Sequence, residues 1–200
     1  PAAAREFTFS DPKGINAVTL MIDSLLEPIT GYANDVSGSL IFDPSRPETA
    51  SGKILVAVAS IQFSNDGYTD TARGYALEGK RFPQIIFALQ KVLEVKQVSP
   101  NVFRGRVQAQ VTCHGVTRTM IAPVTATYVP GAASQRTNDQ QKGDVLVLRT
   151  QFTLKRDEFD IAKGVDTKLV ANEIEVRASV VGLCLETPAV KAAEAVRAKN

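Results

Sequence analysis

A regular alternation of apolar and polar side chains constrains this 200-residue chain more than any other feature. Along Phe103–His114 the odd positions are apolar or small and the even positions are polar. An extended strand sends successive side chains to opposite faces of a sheet, so this segment is predicted to be a long, half-buried β-strand. Residues 146–155 and 174–180 alternate in the same way, and all three segments exceed the usual strand length of about 5–6 residues.

Five less regular strands complete the predicted sheet. They cover residues 15–22, 36–43, 52–61, 84–92 and 118–128. A short helix is predicted near Thr69–Gly79, between the third and fourth strands, and no other helix interrupts the strand succession. Long strands must hide their edges, and closure into a barrel removes the edges altogether. The prediction is therefore an all-β fold: an eight-stranded antiparallel up-and-down barrel.

The whole chain, residues 1–200, is predicted to form a single domain with its barrel core at about 7–186. The polar segment Gly131–Lys142 is expected to be a mobile loop. Residues 187–200 are rich in alanine and are expected to be a solvated terminal tail that can become helical.

Composition excludes several classes of function. The 23 basic and 21 acidic residues are scattered and give a net charge of only +2, so no nucleic-acid partner is expected. One His and two Cys are too few for a structural zinc site. No apolar stretch approaches the ~20 residues that a membrane-spanning helix needs. Neither a nucleophile elbow nor a phosphate-binding loop occurs, so a binding or structural protein is favoured over an enzyme.

The barrel interior leaves two interpretations open. Eight strands enclose just enough space for side chains or for one slender ligand. The small residues Gly105, Ala109, Ala178 and Gly182 are predicted to face inward, and they would leave volume for a ligand. The alternative is an interior that is completely filled by its own side chains.

Five segments, in order and spacing, carry a resemblance to a known family. They read VSGSLIFD (36–43), AVASI (57–61), FPQIIF (82–87), VTCHGVTR (111–118) and RDEFDI (156–161). Together they resemble the YceI-like proteins, lipocalin-like barrels whose better-known members bind polyisoprenoid lipids. Three departures concern one mouth of the barrel. Asp11–Gly14 lacks the family's usual histidine, Asp160 stands where the family has glycine, and Asp70–Arg73 replaces the family's Asp-x-His-Leu before the short helix.

The resemblance implies non-catalytic binding of a long apolar ligand, such as a polyisoprenoid, an isoprenoid quinone or a fatty amide, for transport, storage or stress protection. It implies no cofactor other than the bound polyprenyl or quinone lipid. It also implies a periplasmic or secreted location. The chain begins at Pro1 without an initiator Met or an apolar leader, as a mature exported protein or a trimmed chain would.

The candidate ligand-binding residues are mainly the predicted inward-facing apolar side chains. They are Leu40, Phe42, Val56, Val58, Phe82, Ile85, Phe87, Leu89, Val107, Ala109, Val111, Leu148, Phe152, Leu154, Arg156, Val176, Ala178 and Val180. Arg156 continues the inward phase of Phe152 and Leu154. Because an unpaired buried guanidinium is costly, Arg156 is expected either to pair with Asp157 or Asp70 or to meet a polar headgroup.

No catalytic or metal-binding residue is expected. His114 precedes Gly115 in a predicted hairpin turn and is interpreted as structural. Cys113 and Cys184 are predicted to lie at opposite rims, beyond the ~7 Å between Cα atoms that a disulfide allows, so both should be free thiols.

An alternative function is a solid-core barrel that acts as a dimeric interaction module. Residues 54–61 and 118–128 carry apolar side chains in both phases of the strand. Their outer faces could therefore be covered in a homodimer or by the terminal segments.

Overall fold

The structure, a computed structural model, describes residues 4–138 and 140–186. Within them lie eleven strands: β1 (Arg5–Thr8), β2 (Ala17–Ser24), β3 (Ile29–Ala33), β4 (Val36–Phe42), β5 (Ser51–Ala57), β6 (Gln62–Phe63), β7 (Gln84–Ser99), β8 (Val102–Cys113), β9 (Val116–Val129), β10 (Gly143–Lys155) and β11 (Val170–Leu185). Two short α-helices are α1 (Asp66–Thr71) and α2 (Ala133–Arg136). Single helical turns occupy Pro47–Thr49, Val58–Ser60, Ala72–Ala76 and Asp157–Phe159.

Eight of the strands close into an antiparallel barrel. Their order is β1-β4-β5-β7-β8-β9-β10-β11, and β11 pairs back with β1 where Thr8 lies opposite Leu183. The predicted all-β, eight-stranded, lipocalin-like barrel is thus confirmed. Closure leaves no unpaired strand edge in this ring, which is the reason that long strands favour a barrel.

The first strand of the ring differs from the prediction. The predicted first strand, now β2, pairs with β11 along Val170–Ser179 and continues the sheet outward to β3 and β6. The four-residue β1 closes the ring instead. Strand β11 can pair with both β1 and β2 because it is 16 residues long. Its Leu183, which lies opposite β1, is beyond the residues that pair with β2.

Strand β7 extends farther than predicted. It runs for 16 residues to Ser99, whereas its pairing with β5 ends at Leu89. Its pairing with β8 continues over the remaining length, with register shifts at Leu89/Lys91 and Val92/Glu94. Such bulges add a residue to one strand and bend it. The β7–β8 hairpin therefore projects past the end of β5.

The predicted short helix is present immediately before β7. It consists of α1 and the π-helical turn Ala72–Ala76. The Asn65 side chain caps its start by accepting a hydrogen bond from the Tyr68 backbone N–H at 3.2 Å.

Segment 131–142, predicted to be a mobile loop, contains α2 instead. Ala133 is completely buried and packs with Val145 and Leu183 on the outside of the barrel. The Thr137 hydroxyl donates to the Ala133 carbonyl at 3.0 Å. A small apolar contact and this local hydrogen bond therefore hold α2 against the barrel, where the polar composition had predicted a mobile loop. The helical tail predicted at 187–200 lies outside the described residues.

Candidate functional site

The barrel interior contains a cavity whose wall is almost entirely hydrocarbon. The cavity has a volume of about 180 Å³. Thr150 supplies the one polar side chain of the wall within the described structure, and its hydroxyl donates to the Pro123 carbonyl at 2.7 Å. The interpretation that the interior is completely filled is therefore wrong. A wall without free polar groups suits an apolar ligand, because a buried polar ligand group would find no hydrogen-bond partner there.

Twelve of the eighteen candidate ligand-binding residues lie together in this wall. They come from six strands of the closed ring: Leu40, Phe42, Val56, Phe87, Leu89, Val107, Ala109, Leu148, Phe152, Val176, Ala178 and Val180. The Phe87 and Phe152 rings face each other across the interior, with centroids 5.6 Å apart. The alternation of the strands brings these side chains together, since every second residue of each strand faces inward.

The other six candidates lie outside the wall, toward the end of the barrel where β8 turns into β9: Val58, Phe82, Ile85, Val111, Leu154 and Arg156. Val58, Val111 and Leu154 are buried in the main core cluster, together with Phe159 and Ile161. Phe159 comes from the turn Asp157–Phe159 between β10 and β11. Connecting segments therefore supply large side chains that fill this end, which we call the closed end.

Arg156 is held by backbone carbonyls and not by a carboxylate. It is 4% exposed, and its guanidinium donates to the carbonyls of Ala171 at 2.8 Å, Val170 at 2.6 Å and Ala162 at 3.5 Å. The predicted pairing with Asp157 or Asp70 is therefore wrong. A guanidinium has five N–H donors and each backbone carbonyl is an acceptor with two lone pairs, so these carbonyls satisfy several of the donors of Arg156. Arg156 thus ties the turn after β10 to the start of β11.

His114 connects three elements at the closed end. Its Nδ1 lies 3.1 Å from the Phe159 carbonyl, and its Nε2 lies 2.6 Å from Oε2 of Glu78. Both contacts are made to acceptor oxygens, one of the backbone and one of a carboxylate. The Phe82 ring packs edge-on against the imidazole at 5.2 Å between centroids. The location in a hairpin turn is as predicted, but Glu78 was missed because it is remote in sequence.

The hairpin turn itself needs glycine at its second position. His114 and Gly115 have φ of +51° and +76°, the left-handed pair that tight hairpins favour. A Cβ on Gly115 would lie 2.5 Å from the Phe82 ring. The HG pair therefore allows Phe82 to pack onto the turn and seal the closed end.

Fourteen further residues line the cavity and were not among the candidates: Val18, Pro47, Ala50, Ile54, Val92, Val95, Phe103, Gly105, Met120, Ala122, Val124, Ala126, Leu146 and Thr150. Several continue an inward phase that the sequence shows, Leu146 before Leu148 for example. Val92 and Val95 follow Leu89 in steps of three, because the bulges of β7 shift the inward face. A period-two pattern could not have found them.

A polar cluster lies at the other end of the strands, next to the cavity wall. The Tyr128 hydroxyl donates to Oδ2 of Asp144 at 2.6 Å, and Arg5 forms an ion pair with the same carboxylate. Burial, with the nearby Asp144, raises the pKa of Tyr128 to about 12. Tyr128 lies opposite the cavity residue Leu146 in the sheet. Asp144 is two residues before Leu146, so the alternation of β10 places its side chain on the inward-facing side. An acidic residue at an inward position is the feature of the sequence that could have revealed this cluster.

Both cysteines are free thiols, as predicted. Cys113 is the last residue of β8, at the closed end, whereas Cys184 pairs with Asp144 at the start of β10. Burial raises the pKa of the Cys113 thiol to about 12 and also raises that of Cys184. Neither thiol is therefore activated as a nucleophile.

Two further findings concern the described residues. They contain no cluster of three or more His, Cys, Asp or Glu side chains that could hold a metal ion. None of their helices is both long enough and apolar enough to span a bilayer.

Solved structures with the same fold come from several bacteria. BcnA of Burkholderia cenocepacia is 22% identical, with a TM-score of 0.68, over 86% of this chain and 99% of that one. A polyisoprenoid-binding domain of Saccharophagus degradans, implicated in plant cell wall breakdown, is 10% identical, with a TM-score of 0.65, over 91% and 99%. The YceI protein of Campylobacter jejuni is 17% identical, with a TM-score of 0.61, over 78% and 84%.

No curated protein matches this chain. The model of the YceI-like domain, by contrast, matches residues 11–182, which contain nine of the eleven described strands completely, most of β11 and the whole described cavity wall. This match extends over well more than half of the sequence, and it agrees with the five segments that carry the resemblance. The chain belongs to the YceI-like family.

Proposed function

We propose that this protein binds the hydrocarbon chain of a polyisoprenoid, an isoprenoid quinone or a fatty amide inside the barrel and catalyses no reaction. The hydrocarbon-lined cavity is the observation that carries this proposal. The related fold of the polyisoprenoid-binding domain from Saccharophagus degradans supports the choice of ligand class. Binding would serve transport, storage or stress protection in the periplasm or outside the cell, the locations that the family resemblance implies.

The cavity can recognise such a chain without a specific polar contact. Removing a CH₂ group from water contributes about 0.8 kcal/mol, so a chain of ten such groups gains far more than a typical hydrogen bond does. Glycine and alanine at positions 105, 109, 122, 126 and 178 leave the space for it. Because selection by hydrocarbon is loose, a polar headgroup would be distinguished by residues outside the wall.

The alternative of a solid-core dimeric module has less support. Its premise was a filled interior, which the cavity contradicts. The outer-face residues Ile41 and Ile121 are about half exposed, but scattered exposed apolar residues are usual on monomeric proteins.

The direct test is to identify what the protein holds when it is purified from cells. Native mass spectrometry should show a mass above that of the polypeptide, and solvent extraction should release a long-chain lipid. Ala109→Phe places a large ring in the cavity and should abolish this added mass. Gln110→Phe adds the same ring on the outer face of the same strand and should retain it.

Two results would contradict the proposal. One is wild-type protein that carries no lipid and takes up none from a mixture of polyprenols and quinones. The other is a folded Ala109→Phe variant that retains as much lipid as Gln110→Phe does.

A further inference from the structure

Three arginines line a shallow groove on the outer surface of the barrel, which shares the wall residues Gly105, Val124, Thr150 and Ala178 with the cavity. Arg104, Arg149 and Arg177 come from β8, β10 and β11, and the groove measures about 500 Å³. Between them its walls carry neutral hydroxyl and amide side chains, among them Thr125 and Gln151. No acidic residue belongs to its lining as the structure describes it.

The strand register places these arginines side by side. Arg104 and Arg149 both lie opposite Thr125, on its two sides, and Arg177 lies opposite Gln151, two residues along β10 from Arg149. Arg149 and Arg177 are diagonal neighbours, about 7–8 Å apart, whereas Arg104 lies two strands from Arg149, about 10 Å away. Flexible arginine side chains at these positions can therefore direct their guanidinium groups to one point.

None of the three arginines forms an ion pair within the described residues, although Glu175 lies two residues from Arg177 on the same face of β11. The ion pairs of the structure leave out all three arginines, while their neighbour Arg106 pairs with Glu94 at 3.5 Å. Lys96 lies opposite Arg104 and adds a further cation to the same face. Like charges at adjacent positions destabilise a sheet, and here the chain bears that cost although its net charge is only +2.

We propose that this groove is a second binding site and takes a phosphate-bearing group. A guanidinium presents a planar fork of N–H donors that matches two phosphate oxygens at once. A concave surface with charge of a single sign also concentrates the field that attracts an anion. The phosphate belongs either to a soluble molecule or to the headgroup of a lipid at a bilayer surface, and the argument for this site does not rest on the proposed cavity ligand.

Two probes separate the two sources of phosphate. Inorganic pyrophosphate, titrated by calorimetry, reports binding of a soluble phosphate. Co-sedimentation with vesicles of phosphatidylcholine and phosphatidic acid, against vesicles of phosphatidylcholine alone, reports a lipid headgroup. The test variant is Arg149→Gln with Arg177→Gln. The control, Lys53→Gln with Lys155→Gln, removes the same charge from exposed positions outside the groove.

The proposal predicts that wild-type protein and control bind at least one probe and that the arginine variant binds it about tenfold more weakly or worse, given the strength of hydrogen bonds to charged groups. Binding of pyrophosphate assigns the site to a soluble phosphate, and binding of phosphatidic acid vesicles alone assigns it to a headgroup. The proposal is overturned if wild-type protein binds neither probe. It is also overturned if the arginine variant, folded by circular dichroism, binds as tightly as the control.

Discussion

The closed end and the cavity are built on the same alternating strands, yet side chains fill the interior at the first and leave space in the second. At the closed end Phe159 is 2% exposed and touches a cluster of buried side chains. In the cavity wall Phe87 is only partly buried, although it faces inward in the same way.

The difference comes from the connections and not from the strands. The turn after β10 sends Phe159 inward, and the HG turn with Phe82 covers the same end. Along the cavity the connection between β4 and β5 contributes only Pro47 and Ala50 to the wall, and small residues such as Ala109 and Ala178 leave the space unfilled. A barrel of eight strands therefore becomes solid or hollow according to what its loops put into it.

Removal of the Phe159 ring should have the largest effect on this contrast. Phe159→Ala should lower the free energy of unfolding by about 3–5 kcal/mol, because the packed closed end cannot collapse around the cavity that results. Phe87→Ala is the matched control and should cost less, since its ring already borders empty space. Urea denaturation measures both. Equal losses would show that the two regions are packed alike.

The next largest effect concerns Arg156. Arg156→Met removes the donors of the Ala171 and Val170 carbonyls, and each buried group left unpaired costs about 1–3 kcal/mol. Urea denaturation should therefore show a loss of at least ~2 kcal/mol. Exposed Arg177→Met should cost less than ~0.5 kcal/mol. Lipid content should survive Arg156→Met in the folded fraction, because Arg156 does not line the cavity; loss of the lipid would instead make Arg156 a headgroup contact.

The smallest effect is a difference in the reactivity of the two thiols. Burial raises the pKa of Cys113 to about 12, so almost no thiolate exists at neutral pH, and alkylation requires opening of the closed end. Cys184 is less buried and should react faster with iodoacetamide in native protein. Peptide mass spectrometry of Cys184→Ser and Cys113→Ser resolves the two rates. Faster reaction at Cys113 would mean that the closed end opens readily.

The sequence predicts the barrel well because its strands alternate. The phase of β8, β10 and β11 identifies most inward residues, since a half-buried strand leaves a period-two signature. It does not reveal β1, whose four residues are too short for a pattern, or the overhang of β7, where bulges turn Val92 and Val95 inward.

The alternation of apolar and polar residues also does not predict where along the barrel the cavity ends. Val111 and Leu154 share the inward phase of Val107 and Phe152, but the first two are buried at the closed end and the last two line the cavity. The side chains that decide this, Phe159 above all, come from irregular segments. Local sequence patterns do not fix where such segments pack in space, so the hollow part could be predicted only as one of two alternatives.

The most direct test of a hydrocarbon-binding interior is the dependence of affinity on ligand chain length. A series of linear alcohols of increasing length, bound to delipidated protein, should show Kd falling about fourfold for each added CH₂ until the chain fills the cavity. Ala109→Phe should end that trend at a shorter chain. A Kd that stays constant along the series would contradict the account.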